Sequence, residues 1–156
     1  MSLPLAAGTV LHQRYVIVRL LGQGDFGRVY QARDRRPGPG PRYVALKQLP
    51  MQMIVACERQ LDLAGNLRHP AIPRLHGCFV TATHAYLVKA LIRGVTLEAA
   101  LDQAPGFLAE PRVIGWALQL CDVLHYLHTH PDHPLVFRDP ANSRRLADDD
   151  RLSVRA

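Results

Sequence analysis

The chain has 156 residues, of which 48% are hydrophobic and 21% are charged, and this suits one globular domain with a substantial core. Length and composition therefore exclude an intrinsically disordered chain. The 19 Lys and Arg residues exceed the 13 Asp and Glu residues and give a net charge of +6, but they are scattered rather than clustered, so no nucleic-acid partner is predicted.

The cysteines and the apolar segments indicate the compartment. Cys57, Cys78 and Cys121 are odd in number and far apart, which is typical of free thiols in a reducing compartment. The amino terminus lacks the basic segment and apolar core of a signal peptide. The longest apolar stretch, at 113–127, contains polar and charged residues that argue against a membrane span. We therefore expect a soluble, cytoplasmic protein with no membrane span.

The first third of the chain predicts three strands. Residues 1–12 are expected to form a leader ahead of the folded domain. Runs rich in β-branched and aromatic residues at 15–18 and 29–32 predict the two strands of a hairpin. The segment 34–42 is rich in proline and glycine and predicts a loop, and the run at 43–49 predicts the third strand.

Three glycines lie in the bend of the predicted hairpin. At Gly22, Gly24 and Gly27 the backbone amides can approach a phosphate without hindrance from a side chain. Val29 follows the third glycine by two positions, and the next strand contains the run Tyr-Val-Ala-Leu-Lys, which ends at Lys47. Together these features resemble the glycine-rich loop and the ATP-binding lysine of protein kinases.

The resemblance continues through the following elements. Apolar residues recur at spacings of three and four from 54 to 67, which predicts an amphipathic helix. The runs at 77–80 and 85–88 predict two further strands. The resemblance thus implies an α+β fold that begins with a protein-kinase-like small lobe at 13–90, built from a five-stranded antiparallel sheet and one helix.

The remainder, at 91–156, resembles the hinge and the first helices of an incomplete large lobe. Thr96 is predicted to cap a helix amino terminus. A second helix is apolar over much of its circumference and is expected to be buried against other helices. One predicted stripe of this helix consists of Val113, Ala117, Leu120, Leu124 and Leu127, and a second face consists of Ile114, Leu118 and Cys121.

A catalytic-loop motif lies near the end of the chain. The run Phe-Arg-Asp-Pro-Ala-Asn at 137–142 resembles the Arg-Asp loop of bacterial Hanks-type Ser/Thr kinases, and the resemblance assigns the base to Asp139 and the metal-binding amide to Asn142. The family separates these residues by five positions, whereas this chain is two residues shorter there. Two extended residues span up to about 7 Å, so Asp139 and Asn142 are predicted to be a degenerate catalytic pair.

The resemblance also assigns the ligand contacts. ATP is the implied cofactor, with its phosphates at the three glycines and Lys47 and its base against Val29 and Ala45. Gln60 takes the place of the glutamate that pairs with the lysine in the family, and a glutamine cannot neutralise an ammonium group. Lys89 and Arg144 fall where the family has apolar side chains around the base, and burying a cation there is costly.

Metal binding is the least supported of these functions. The chain reaches Ala156 where the family begins its magnesium-binding Asp-Phe-Gly segment, so a complete magnesium site is not expected. His125, His128, His130 and His133 are interpreted as capping and solvated residues rather than metal ligands. Three consecutive acids at 148–150 are interpreted as a solvated turn, and no metal site is predicted.

The sequence is compatible with three functional hypotheses. The first is a kinase-like domain that contacts ATP phosphates but does not phosphorylate alone. The second is a non-enzymatic, pseudokinase-type module, or a gene remnant, in which the exposed large-lobe helix binds a protein partner. The third is an active Ser/Thr kinase that another chain completes.

Overall fold

The computed structural model of the chain describes residues 3–24, 27–40, 42–131, 146–148 and 151–153. The side chains of Ala56, Gln60 and Ala64 and those of 146–148 and 151–153 lie outside this description. The chain divides into two compact units, which are described separately. The first comprises Met1–Asn66 and Arg74–Leu91, and the second comprises Leu67–Pro73 and Ile92–Ala156.

The secondary structure consists of nine strands and three α-helices within the described residues. The strands are β1 (Val10–Leu11), β2 (Tyr15–Gly24), β3 (Gly27–Asp34), β4 (Tyr43–Pro50), β5 (Leu75–Val80), β6 (His84–Ala90), β7 (Val95–Thr96), β8 (Leu146–Asp148) and β9 (Arg151–Ser153). The helices are α1 (Ile54–Gly65), which follows a 3-10 turn at Met51–Met53, α2 (Leu97–Asp102) and α3 (Glu110–His128).

The first unit is an antiparallel sheet of six strands in the order β1-β2-β3-β4-β6-β5, with α1 on one face. This architecture confirms the predicted α+β fold and adds one short strand from the segment that was predicted to be a leader. Backbone hydrogen bonds hold that segment to β2, because Gly8 N donates to Ile17 O at 2.8 Å and Ile17 N donates to Thr9 O at 2.9 Å. Leu11 is buried in the core, and Leu5 packs against it.

The face of the sheet opposite α1 carries the main apolar core. Its aromatic rings stack, with Phe79 centred 5.3 Å from Tyr15 and 4.9 Å from Tyr86. The buried residues of this core are Leu11, Tyr15, Ile17, Tyr30, Ala32, Val44, Leu46, Phe79, Tyr86 and Val88.

One polar side chain lies inside this core. Gln48 is only 5% exposed, and a buried amide costs free energy unless its donors and acceptors are paired. Its Nε2 donates to the Tyr86 hydroxyl at 3.0 Å, and its Oε1 accepts from the Tyr30 hydroxyl at 3.4 Å. The Tyr30 hydroxyl in turn accepts from Leu5 N at 3.2 Å. The three side chains therefore satisfy one another and attach the amino-terminal segment to the core.

The second unit contains α2, α3 and the sheet β7-β8-β9. Thr96 caps α2 as predicted, since its Oγ1 accepts from Ala99 N at 3.1 Å. Tyr126 of α3 accepts a hydrogen bond from Arg68 N at 2.8 Å through its hydroxyl. His69 accepts from Ala71 N at Nδ1, so its Nε2 carries the proton and donates to Asp122 Oδ2 at 3.0 Å.

The predicted apolar stripe on this helix is confirmed at Leu120, Leu124 and Leu127 and is wrong at Val113 and Ala117, which are exposed. The side chains that α3 buries are Trp116, Val123 and Leu127, while Leu120 and Leu124 are half-buried. Trp116 is the largest apolar side chain of the helix, and it is buried. The hydrogen bonds of Tyr126 and Asp122 attach the same helix to residues 68 and 69. The exposed apolar residues of α3 are Val113, Ile114, Ala117, Leu118 and Cys121.

None of the helices in the described segments is long and apolar enough to cross a membrane.

An ion pair joins the start of β2 to the end of β3, at the end of the hairpin away from the glycine bend. The guanidinium group of Arg14 donates from Nε to Asp34 Oδ1 at 2.7 Å and from Nη2 to Asp34 Oδ2 at 2.5 Å. The side chain of Asp34 is only 7% exposed, and its Oδ1 also accepts from Arg36 N. These hydrogen bonds, led by those from Arg14, hold the pKa of Asp34 below its ordinary value despite the opposing effect of burial.

Gly27 is required by a close backbone approach between β3 and β4. Its φ of +121° is disfavoured for other residues, and a Cβ there would lie 2.0 Å from Gln48 O.

We expect Gly27→Ala to lower the free energy of unfolding by about 2 kcal/mol or more, measured by urea denaturation. Gly24→Ala is the matched control, because nothing lies within 4 Å of its Cβ position and its φ is not positive. Equal stability of the two variants would contradict the close approach.

The Arg14–Asp34 pair predicts a pH dependence of stability. Because the folded state lowers the pKa of Asp34, the pair stabilises the fold above the unfolded value of about 3.9 and loses this effect as the pH falls through the lower folded value. We expect Asp34→Asn to cost about 2 kcal/mol in urea denaturation at pH 7 and much less near pH 2. The exposed Asp102→Asn serves as the control. A cost for Asp34→Asn that is independent of pH would refute this role of the ion pair.

Candidate functional site

The first unit brings the predicted phosphate-binding residues together in one row across the sheet. Gly22 of β2 lies opposite Val29 of β3, Val29 lies opposite Lys47 of β4, and Lys47 lies opposite Leu87 of β6. Residues that lie opposite each other in an antiparallel sheet project from the same face. The register therefore places a glycine, an apolar side chain and a lysine side by side, although 25 positions separate Gly22 from Lys47 in the sequence.

A second row runs beside the first. Gln31 of β3 lies opposite Ala45, and Ala45 lies opposite Lys89 of β6. Because side chains alternate along a strand with a period of two, Ala45 and Lys47 share one face of β4, and Lys89 shares it with them. Ala45 is 6% exposed and Leu87 is fully buried, whereas Lys47 and Lys89 are both half-buried. The two lysines thus lie beside the buried apolar side chains of Ala45 and Leu87.

The glycine-rich bend lies at the end of the same hairpin. Gly24 and Gly27 are the last opposed pair of β2 and β3, and the two residues between them lie outside the described residues. The close approach of Gly27 to Gln48 O places the bend directly beside β4, the strand that also carries Lys47. All six residues predicted to contact a nucleotide therefore lie on three neighbouring strands. They are Gly22, Gly24, Gly27, Val29, Ala45 and Lys47.

Helix α1 packs on this face and adds a residue that the sequence analysis did not associate with the site. Cys57 is 1% exposed and packs with Leu49 and Ala85. Burial raises the pKa of its thiol, and the positive charges of Lys47 and Lys89 act in the opposite direction. Both ammonium groups are therefore close enough to influence the same sulfur. Helical periodicity identified Cys57 as a core residue, but only the packing of α1 reveals its position near the lysines.

Several predicted site residues lie outside these two rows. Asp139, Asn142 and Arg144 lie outside the described residues, and so does the side chain of Gln60. Glu58 of α1 is exposed. Within the segments that the structure describes, no three His, Cys, Asp or Glu side chains form a group that could hold a metal ion.

The combination of a glycine hairpin, a lysine on the third long strand and a packed helix matches one family. The family model for the protein kinase domain matches residues 15–142, more than half of the chain. The chain belongs to the protein kinase family. The matched range includes the residues from Gly22 to Asn142, among them the three glycines, Lys47 and Asp139, but not Arg144.

Individual relatives indicate the Ser/Thr branch of the kinases. The chain is 32% identical over 152 residues to CBL-interacting protein kinase 20 of Oryza sativa subsp. japonica, an alignment that covers 92% of this chain and 31% of the relative. It is 27% identical over 134 residues to serine/threonine-protein kinase Nek11 of Mus musculus, with 81% of this chain and 21% of the relative covered. The chain thus spans less than a third of the length of either relative.

The fold matches a solved kinase domain. The PknI kinase domain of Mycobacterium tuberculosis, crystallised as a double mutant, superposes with a TM-score of 0.71 at 24% sequence identity. The match covers 97% of this chain and 62% of that domain. This likeness shows the protein-kinase fold, and the family model and the Ser/Thr kinase relatives support a Hanks-type Ser/Thr kinase domain.

Proposed function

We propose that the chain is a Ser/Thr-kinase-like domain that contacts the phosphates of ATP and does not phosphorylate proteins on its own. The observation that supports this proposal most directly is the row formed by Gly22, Val29 and Lys47 across three strands. A cation beside backbone amides that carry no side chain is a phosphate-binding arrangement. The close approach at Gly27 supports it further, since it keeps the glycine bend next to the strand of the lysine.

The site residues can be assigned to particular parts of the nucleotide. Lys47 would hold the phosphates through its ammonium group, and Gly22, Gly24 and Gly27 would supply backbone donors. Val29 would contribute an apolar wall. ATP, when bound, supplies the transferable phosphoryl group of the family reaction.

The proposal of inactivity rests on the sequence of the catalytic loop. Asp139 would orient the attacking hydroxyl and Asn142 would hold a metal ion, but the loop between them is two residues shorter than the family pattern. Gln60 would meet Lys47 without neutralising its charge, so the lysine is held less firmly than by a carboxylate. Both changes reduce the positioning on which phosphoryl transfer depends.

Titration of ATP by calorimetry tests the phosphate contact. We expect Lys47→Ala to weaken ATP binding about tenfold or more, because it removes a charge-assisted hydrogen bond. In the same preparations, transfer of radiolabelled phosphate to generic protein substrates should stay at the level of the Lys47→Ala variant.

Arg42→Ala is the control, because it removes one positive charge at an exposed position away from the two rows. Equal affinity of wild type and Lys47→Ala for ATP would reject the phosphate contact. Lys47-dependent transfer to a substrate would instead show that the chain is an active kinase by itself.

A second candidate function is a protein-binding module, and the exposed apolar face of α3 favours it. Leu118 is 65% exposed and Ile114 is 49% exposed, and they lie beside Val113, Ala117 and Cys121. Contiguous apolar surface of this kind is characteristic of interaction sites. The occupant that we propose is a protein partner that presents a complementary apolar surface to this face of α3.

Exposure of this face can be measured directly. We expect the purified chain to bind the dye 1-anilinonaphthalene-8-sulfonate and to self-associate in sedimentation velocity, because the apolar face of α3 is accessible. Leu118→Lys should reduce both signals several-fold, whereas His125→Lys, an exposed change on the same helix, should leave them unaltered. A monomer that binds no dye would count against the second function.

A further inference from the structure

Two of the three cysteines lie on the same side of the sheet, where α1 packs. Cys57 of α1 is 1% exposed and packs with Leu49 and Ala85, and Cys78 of β5 is half-buried and packs against the same cluster. Both are free thiols in the structure. They are 21 positions apart in the sequence, and only the packing of the helix on the sheet brings them together.

A β-bulge puts Cys78 on this side of the sheet. Leu75 of β5 lies opposite Lys89 of β6 and Cys78 lies opposite Leu87, so the register shifts between Leu75 and Gly77. Lys89 and Leu87 project from the same face, because side chains alternate along a strand with a period of two. Leu75 and Cys78 are three positions apart and would project from opposite faces of a regular strand, but the extra residue of the bulge brings them to one face.

We propose that Cys57 and Cys78 are a dithiol that a peroxide converts to an intramolecular disulfide, and that this bond ties α1 to the edge of the sheet. Strand β5 is the last strand in the sheet order, so within the sheet it pairs with β6 alone, and α1 packs against it. The bond therefore fastens an edge strand that has a single neighbouring strand. This inference does not depend on the proposed nucleotide contact.

The first support is the proximity of the two sulfurs. Cys57 and Cys78 belong to one packed cluster, and a disulfide needs Cβ atoms roughly 3.5–4.5 Å apart, a separation at which packed side chains meet. Burial is the main cause of the raised pKa of the Cys57 thiol, and the charge of the Cys78 thiolate is the next. Because the interaction between two charges weakens with distance, this effect agrees with neighbouring sulfurs.

The second support is the difference in access between the two sulfurs. Cys78 is half-buried and can meet a small oxidant from solvent, whereas Cys57 is enclosed. A sulfenic acid that forms on Cys78 has a buried thiol beside it, and a neighbouring thiol condenses with a sulfenic acid to a disulfide. The positive charges of Lys47 and Lys89 oppose the effect of burial on the pKa of Cys57, which favours the thiolate that attacks.

The reaction has two steps. The Cys78 thiolate attacks one oxygen of hydrogen peroxide, so that an S–O bond forms, the O–O bond breaks and the departing hydroxide takes up the thiol proton as water. The Cys57 thiolate then attacks the Cys78 sulfur, so that the S–S bond forms, the S–O bond breaks and a second water leaves. The two thiols together lose two electrons, and one peroxide is reduced to two waters. The reaction is slow near neutral pH, because burial raises the pKa of both thiols and the thiolate is the form that reacts.

Peroxide treatment of the purified Cys121→Ser chain tests the bond, because Cys121 is exposed and would otherwise link two chains. The treatment uses millimolar hydrogen peroxide at about pH 8.5, where a larger fraction of each thiol is ionised. We expect the mass of the chain to fall by about two mass units, since two hydrogens are lost, and both thiols to stop reacting with a thiol reagent in urea. A tryptic digest should join the peptide that ends at Arg59 to the peptide that ends at Lys89.

The bond should also stabilise the fold, because it closes a loop of about 20 residues in the unfolded chain. We expect the oxidised Cys121→Ser chain to unfold at least about 5 °C above the reduced chain, and dithiothreitol to reverse this rise. Cys78→Ala on the same background is the matched control, and peroxide should neither cross-link it nor raise its unfolding temperature. Cys57→Ala should behave in the same way, and if this buried substitution prevents folding, Cys78→Ala decides the comparison.

Three outcomes would overturn the inference. The first is a folded Cys121→Ser chain that keeps both thiols, or that gains oxygen on Cys78 without a cross-link. The second is a cross-link that forms only when the chain is unfolded in urea, since the native packing would then not bring the sulfurs together. The third is a cross-linked chain that is less stable than the reduced chain, because the bond would then distort the packing of α1.

Discussion

The two-residue period of β4 is the constraint on which the rest of the first unit depends. Val44, Leu46 and Gln48 project into the aromatic core on one face, so the intervening Ala45 and Lys47 must project from the other. A shift of register by one residue would bury the lysine among the aromatic rings and expose the leucine. The core and the candidate site are therefore two consequences of a single strand alignment.

That alignment is itself strongly determined. The amide of Gln48 finds both of its partners only when the strand lies between the hydroxyl groups of Tyr30 and Tyr86. On the same strand, the carbonyl oxygen of Gln48 lies where any side chain at Gly27 would collide with it. Buried polar groups with a single satisfying arrangement specify a register more sharply than apolar contacts do. The glycine bend and the lysine are thus held in place by a residue that belongs to neither.

The chemistry of the site departs from the family in charge rather than in shape. The sheet, the hairpin and α1 follow the kinase pattern, but the face beneath α1 carries Lys89 in addition to Lys47. Both lysines are half-buried, and their positive charges act on the pKa of the same thiol, that of Cys57. A fold can be retained while its ligand preference changes, because the fold depends on the buried core and the preference depends on a few side chains at the site.

The sequence alone determined the positions of five strands, the glycine hairpin and the cap at Thr96, because strand period, turn residues and capping residues act over short distances. Its motifs also indicated the family. Tertiary structure decided the remaining features. Strand β1 exists because Gly8 and Thr9 exchange hydrogen bonds with Ile17, and nothing in the two residues of β1 requires a strand. The phase of α3 is set by Trp116 and by the bonds that Asp122 and Tyr126 make, whereas apolar periodicity allowed two faces. The neighbourhood of Lys47, Lys89 and Cys57 required both the register of β4 with β6 and the packing of α1, since residues distant in sequence meet only when the sheet and the helix assemble.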